Sequence, residues 1–206
     1  IFDLDGTLWD SSESVVAAWN TIFSRCPDIS RRITVADMHT YMGKTIENIA
    51  PLALPDVPEP RRSEVLWQGV RYEQEYIAQH GAKLYPGLRE TLERLRRDYT
   101  LIIVSNCQDG YIQCFFEFSG MKELFADFES AGATGFSKGE NIRLVIQRNG
   151  VDSAVYVGDT QGDLDASDFA GVPFIRAAYG FGQMNREVPE IAEFSELPET
   201  VKKIIG

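Results

Sequence analysis

Two aspartates stand one residue apart in the opening run IFDLDGT, and glycine then breaks the run. On an extended strand, side chains two apart lie on the same face, so Asp3 and Asp5 repel each other unless positive charge sits between them. The pair asks for a cation. Three later segments carry comparable groups: Ser105-Asn106 ends LIIVSN, Lys138 opens a helical pattern beside Gly139, and AVYVGDTQGD ends in Gly158-Asp159 with Asp163 close behind. In an open parallel sheet the chemistry gathers outside the carboxyl ends of the strands, so four strand-adjacent segments offer carboxylates, a hydroxyl and one ammonium to a common site.

The elements that must position these residues are legible in the pattern. YTLIIVS (99–105), ADFES (126–130), AVYVG (154–158) and VPFIR (172–176) are short β-rich runs separated by helix-length segments, PGLRETLERLRRD and SKGENIRLVIQRNG among them. Such alternation predicts an α/β fold, a Rossmann-like parallel sheet with right-handed crossovers and helices on both faces, which the opening strand joins. Between Ser11 and Gly81 the texture changes. SSESVVAAWNTIFSR and RRSEVLWQGVRYEQEYIAQHG are amphipathic helical patterns with no strand signal between them, and the proline-rich PLALPDVPEPRR reads as a loop. The expected organisation is a core of residues 1–11 and 82–206, a helical insert of residues 12–81, and LYPG (84–87) returning the chain to the sheet.

Composition narrows the function. The 206 residues are 44% apolar and 25% charged, ordinary for a globular chain, and the net charge of -11 argues against binding to nucleic acid or an anionic membrane. No apolar stretch is long enough to cross a bilayer. Three cysteines without a CxxC pair suit reduced thiols in the cytoplasm, and two histidines make an imidazole zinc site a poor reading. The chain opens in mid-strand without methionine, so a few native residues are expected before Ile1.

DLDGT at 3–7, Ser105, Lys138 and GDTQGD at 158–163 resemble, in order, spacing and strand context, the four motifs of the haloacid dehalogenase-like hydrolase superfamily. The helical insert resembles the cap of the subgroup holding phosphoglycolate phosphatase and β-phosphoglucomutase, and YPGLRETLERL with AAYGFG resembles the phosphoglycolate phosphatase branch. The resemblance implies a nucleophilic Asp3 that forms an aspartyl-phosphate, and an Asp5 that protonates the leaving oxygen and then activates water. It implies Mg²⁺, held by the Asp3 side chain, the Asp5 carbonyl and the Asp159 side chain, with Asp163 in support. Ser105 and the Asn106 amide would hold phosphate oxygens, and Lys138 would offset the negative charge. Gly43 and Lys44 are candidates for substrate contact from the cap.

The expectation is therefore a Mg²⁺-dependent phosphatase acting on a small phosphate monoester, as monomer or homodimer. The resemblance also leaves open a phosphomutase or a pyrophosphatase, and a non-catalytic phosphate-binding regulatory module is the alternative of another class. Asp5 counts against dehalogenation. MGKT at 42–45 is no P-loop, because Met38 stands where glycine is needed, and the acidic run from Asp159 is no EF-hand, because Leu164 and Ala170 occupy its glycine and glutamate positions. Asp10 is read as a helix cap, Trp9 and Trp19 as packing residues near the hinge, Arg31 and Arg32 as a solvated face, and Cys107 as incidental.

Overall fold

A computed structural model describes residues 1–205. The opening segment pairs on both sides: Phe2 donates to the Ile102 carbonyl and accepts from Val104, while Asp3 donates to Val157 and Ile1 accepts from Val157. It lies between β3 (Ile102–Ser105) and β5 (Tyr156–Gly158), bridged in parallel to each. β4 (Asp127–Ser130) pairs parallel outside β3, and β6 (Phe174–Ala177) then β7 (Glu190–Ile191) pair parallel outside β5. The spatial order β4, β3, opening segment, β5, β6, β7 is the doubly wound arrangement, and the strand order reverses between the opening segment and β5. That reversal places Asp3 and Asp159 side by side at the carboxyl edge.

Alternation along the strands divides the core between two faces. Ile102 and Val104 pack with Tyr156, Ile142, Val145 and Leu164 on one side, beneath α8 (Lys138–Asn149) and α9 (Gln161–Ala170). Ile103 and Val157 face the other side with Leu92, Phe115 and Val201. These come from α5 (Leu88–Leu95), α6 (Tyr111–Ser119) and α10 (Leu197–Ile205), while the short α7 (Ala131–Thr134) follows β4. Helices therefore cover both faces, as the sequence predicts.

From Ser12 to His80 the described residues form helices and loops without a strand. α1 (Ser12–Ser24) buries Val15, Ala18, Trp19, Ile22 and Phe23, and α4 (Arg61–His80) packs along it with Val65, Leu66, Val70 and Ile77. α2 (Val35–Tyr41) opens on a Thr34–Asp37 capping box, and α3 (Ile46–Ala53) begins after Thr45. MGKT is accordingly the α2–α3 connection. Trp9 and Trp19 are fully buried, and Asp10 accepts from the Ser12 amide at 3.0 Å, a capping contact. Arg32 is exposed, as expected of a solvated face, while Arg31 is half-buried and reaches the Tyr41 hydroxyl at 3.4 Å and Asp37 at 3.5 Å.

One connection also differs from expectation. β1 (Trp9–Asp10) and β2 (Lys83–Leu84) pair antiparallel in their own two-stranded ribbon, so the chain leaves for the helical segment and returns from it side by side. Lys83–Leu84 pairs there rather than with the main sheet because Trp9 is anchored by Tyr111 and Phe115, whose ring centroids lie 5.8 and 5.2 Å away.

Candidate active site

Asp3 follows the central opening strand, and its side chain is 2% exposed. Burial pushes its carboxyl above the ordinary range, and Lys138, the nearest opposing influence, pulls it back. The Lys138 ammonium lies 3.0 Å from Asp3 Oδ1 and 2.5 Å from Asp163 Oδ1. Burial alone would lower that ammonium, but the Asp163 and Asp3 carboxylates hold it above its usual value. A Ser137–Glu140 capping box starts α8 and fixes the position of Lys138 in its first turn.

Asp159 follows β5. Its Oδ2 accepts from the Phe181 amide at 2.7 Å, whereas its Oδ1 is buried with no hydrogen-bond partner. Burial, then Asp163 and Asp3, pushes the Asp159 carboxyl well up. An unpartnered buried oxygen is costly unless something positive meets it. Oxygens of Asp3, Asp159 and Asp163 lie within 4.8 Å of one another, an all-carboxylate set suited to a hard divalent cation. The surrounding backbone is shaped to this cluster. Gly6 has φ +80°, and a Cβ there would stand 2.3 Å from Asp159 Oδ2; a Cβ on Gly180 would meet Asp159 Cβ at 2.3 Å.

Asp163 is fixed by a second capping box: its Oδ2 accepts from the Thr160 hydroxyl at 2.7 Å and amide at 2.9 Å, and from the Asp159 amide at 3.2 Å. Asp5 has a different environment. Its Oδ1 accepts from the Ser11 hydroxyl at 2.5 Å and the Tyr111 hydroxyl at 3.0 Å. Burial outweighs these bonds and raises its carboxyl to about 6.

Asp3, Asp5, Ser105 and Asn106 line one cavity of about 60 Å³, with Gly43, Lys44 and Glu73 contributed by the helical segment. Gly43 is drawn to the core, its carbonyl accepting from Asn106 Nδ2 at 2.9 Å. Lys44 is exposed, and its ammonium donates to the Thr40 carbonyl. Cys107 also lines the cavity, and burial pushes its thiol well up, against a nucleophilic role. The sequence reading missed Ser11, Tyr111, Thr160 and Glu73. Thr160 had a local signal, the T-x-x-D spacing of a cap, and Ser11 stands six residues after Asp5 just before α1; Tyr111 and Glu73 arrive from separate helices.

The model of the family described as haloacid dehalogenase-like hydrolase matches residues 1–177. The phosphoglycolate phosphatase of Synechococcus elongatus is 30% identical over 88% of this chain and 84% of that protein. The probable phosphatase IndB of Dickeya dadantii is 27% identical over the whole chain and 91% of its own length. A crystal structure of a predicted phosphoglycolate phosphatase from Haemophilus somnus shares the fold with a TM-score of 0.83, at 21% identity over 97% of this chain and 96% of that one. The chain belongs to the haloacid dehalogenase-like hydrolase family and is a phosphoglycolate phosphatase-like member of it, a phosphoric monoester hydrolase.

Proposed function

We propose that the protein is a Mg²⁺-dependent phosphatase that hydrolyses a small phosphate monoester through an aspartyl-phosphate on Asp3, with residues 12–81 acting as a cap over a core of residues 1–11 and 82–206. One observation carries this reading. Two carboxylates separated by one residue have opposite surroundings, an ammonium at Asp3 and two hydroxyls at Asp5, which is how one site divides nucleophile from acid and base.

The Asp3 and Asp159 side chains and the Asp5 carbonyl would hold the cation, with Asp163 fixed behind them by Thr160 and Lys138. When bound, Mg²⁺ neutralises these carboxylates and draws charge from the transferring phosphoryl group. Asp3 attacks phosphorus, the ester P–O bond breaks, and the Asp5 carboxyl gives its proton to the leaving oxygen. The Asp5 carboxylate then takes a proton from the water that attacks the phosphorus of the aspartyl-phosphate, and inorganic phosphate leaves with Asp3 restored. A carboxyl lifted to about 6 is suited to both proton transfers near neutral pH. Ser105, the Asn106 amide and Lys138 hold phosphate oxygens meanwhile. Domain closure excludes water from the phosphoryl group until the leaving group departs. The three unpaired cysteines suit a cytoplasmic setting.

The test is phosphate release from p-nitrophenyl phosphate and small natural-type esters, with Mg²⁺ and with excess chelator. Release that needs Mg²⁺ supports the reading, and equal release in chelator contradicts it.

A further inference from the structure

The cavity walls contributed by the helical segment say what kind of leaving group fits. They are mostly apolar, with Val15, Trp19, Met38, Met42, Ile46 and Ile49 facing the space between the two parts of the chain. One ionisable side chain of α4 interrupts them. Glu73 of α4 is 4% exposed, and its oxygens accept from Trp19 Nε1 at 2.5 Å and from Gln108 Nε2 at 3.0 Å. Both partners are neutral N–H groups, and among the described residues Glu73 has no salt bridge. Burial, with a small addition from Asp5, accordingly raises its carboxyl to about 8.

A buried carboxyl without a counter-ion keeps its proton because the carboxylate is costly there, and a cationic ligand end that displaces the proton supplies the missing partner. A ligand carrying a carboxylate gains no such pairing: nothing basic among the lining residues meets it, and it must give up its water in an apolar cavity. Lys44 is the one cation among the described residues that line the cavity, and its ammonium is turned outward to the Thr40 carbonyl. No basic group among the described lining residues thus faces the cavity beside Glu73, whereas an acidic leaving group requires such a partner.

Taking the phosphatase reading as its basis, we infer that Glu73 selects the leaving group: the preferred substrate is a small alcohol phosphate whose far end carries a protonated amine beside a short apolar body, and esters with a carboxylate there are disfavoured. Glu73 then acts as a specificity residue that touches the leaving group, and Trp19 and Gln108 orient it. The relation to phosphoglycolate phosphatases is one of fold and phosphoryl chemistry, with a different leaving-group end.

The test compares phosphoethanolamine with 2-phosphoglycolate, which are similar in size and opposite in terminal charge. Calorimetric binding is measured to Asp3→Asn, which retains both walls of the cavity, and kcat/KM is measured for the native enzyme. The inference predicts a preference for phosphoethanolamine on the order of tenfold or more in both measurements. It also predicts that Glu73→Gln, nearly the same size, erases that preference mainly through KM. Tighter binding or faster turnover of phosphoglycolate overturns the inference, as does an unchanged preference in Glu73→Gln. Failure to hydrolyse p-nitrophenyl phosphate would contradict the phosphatase reading, while the binding order would still decide the role of Glu73.

Discussion

At the scale of single residues, the site separates functions by partner. Asp3 shares an ammonium with Asp163, while Asp5 shares hydroxyls with Ser11 and Tyr111. Asp3→Asn keeps the side-chain volume and removes the proposed nucleophile, so phosphate release is expected to vanish while the far-ultraviolet circular dichroism spectrum is unchanged. Asp5→Asn is expected to slow turnover by about 10²–10⁴-fold, the usual contribution of a positioned acid or base. Retained turnover in either variant would reassign that residue. Lys138 has a structural weight of its own, because replacing it by methionine leaves Asp3 and Asp163 buried without a counter-charge. The expected loss is about 3–5 kcal/mol in denaturant unfolding without metal. A loss below 1 kcal/mol would show that the ammonium is not the partner that makes this acidic cluster tolerable.

At the scale of elements, much of the arrangement was legible in the sequence and some was not. The runs around Ile102–Ser105 and Tyr156–Gly158 announce themselves as apolar strands ending in polar residues, and the long 3.6-residue periodicity of 61–80 announces α4. β1, β2 and β7 are each two residues long, too short to carry any periodicity. Their pairing depends on distant contacts, such as Trp9 against Phe115. The candidate site divides in the same way: Asp3, Asp5, Ser105, Lys138, Asp159 and Asp163 follow strand ends or open helices, so order along the chain reveals them. Tyr111 and Glu73 sit inside helical patterns that read as packing, and only the tertiary fold brings them to the cavity. Glu73 joins α1 and α4 through Trp19, and the burial that raises it from 4.5 to about 8 has a measurable sign. Between those pH values the native state holds a proton that the unfolded chain releases. Stability from this group is full below pH 4.5 and falls as pH rises toward 8, by up to about 1.4 kcal/mol per pH unit. Glu73→Gln is expected to flatten this part of the stability curve measured by urea unfolding, and an unaltered slope would show that Glu73 is ionised throughout.

At the scale of the whole molecule, the proposed mechanism reconciles a net charge of -11 with an anionic substrate, because Lys138 and a bound cation would set the local field at the switch point. The orphaned Oδ1 of Asp159 ties metal binding to folding, since a cation held by the native cluster and not by the unfolded chain stabilises the fold by mass action. At a hundred times its dissociation constant the gain is about 2.7 kcal/mol, roughly 5–10 °C in melting temperature for a chain of this length. Asp159→Asn is expected to remove most of that shift in a thermal melt with and without Mg²⁺. The ribbon of β1 and β2 carries both passages between the sheet and the helical segment. The contact from Asn106 to Gly43 closes the far side.

The central claim is that Asp3 becomes phosphorylated during turnover. Its most direct measurement is an acid quench of the enzyme turning over a radiolabelled phosphate ester, with borohydride reduction of the trapped acyl phosphate and mapping of the modified peptide. The account predicts transient label on the enzyme, homoserine at position 3, and neither in Asp3→Asn. Label on another residue, or full turnover with no labelled enzyme at any time, would contradict it.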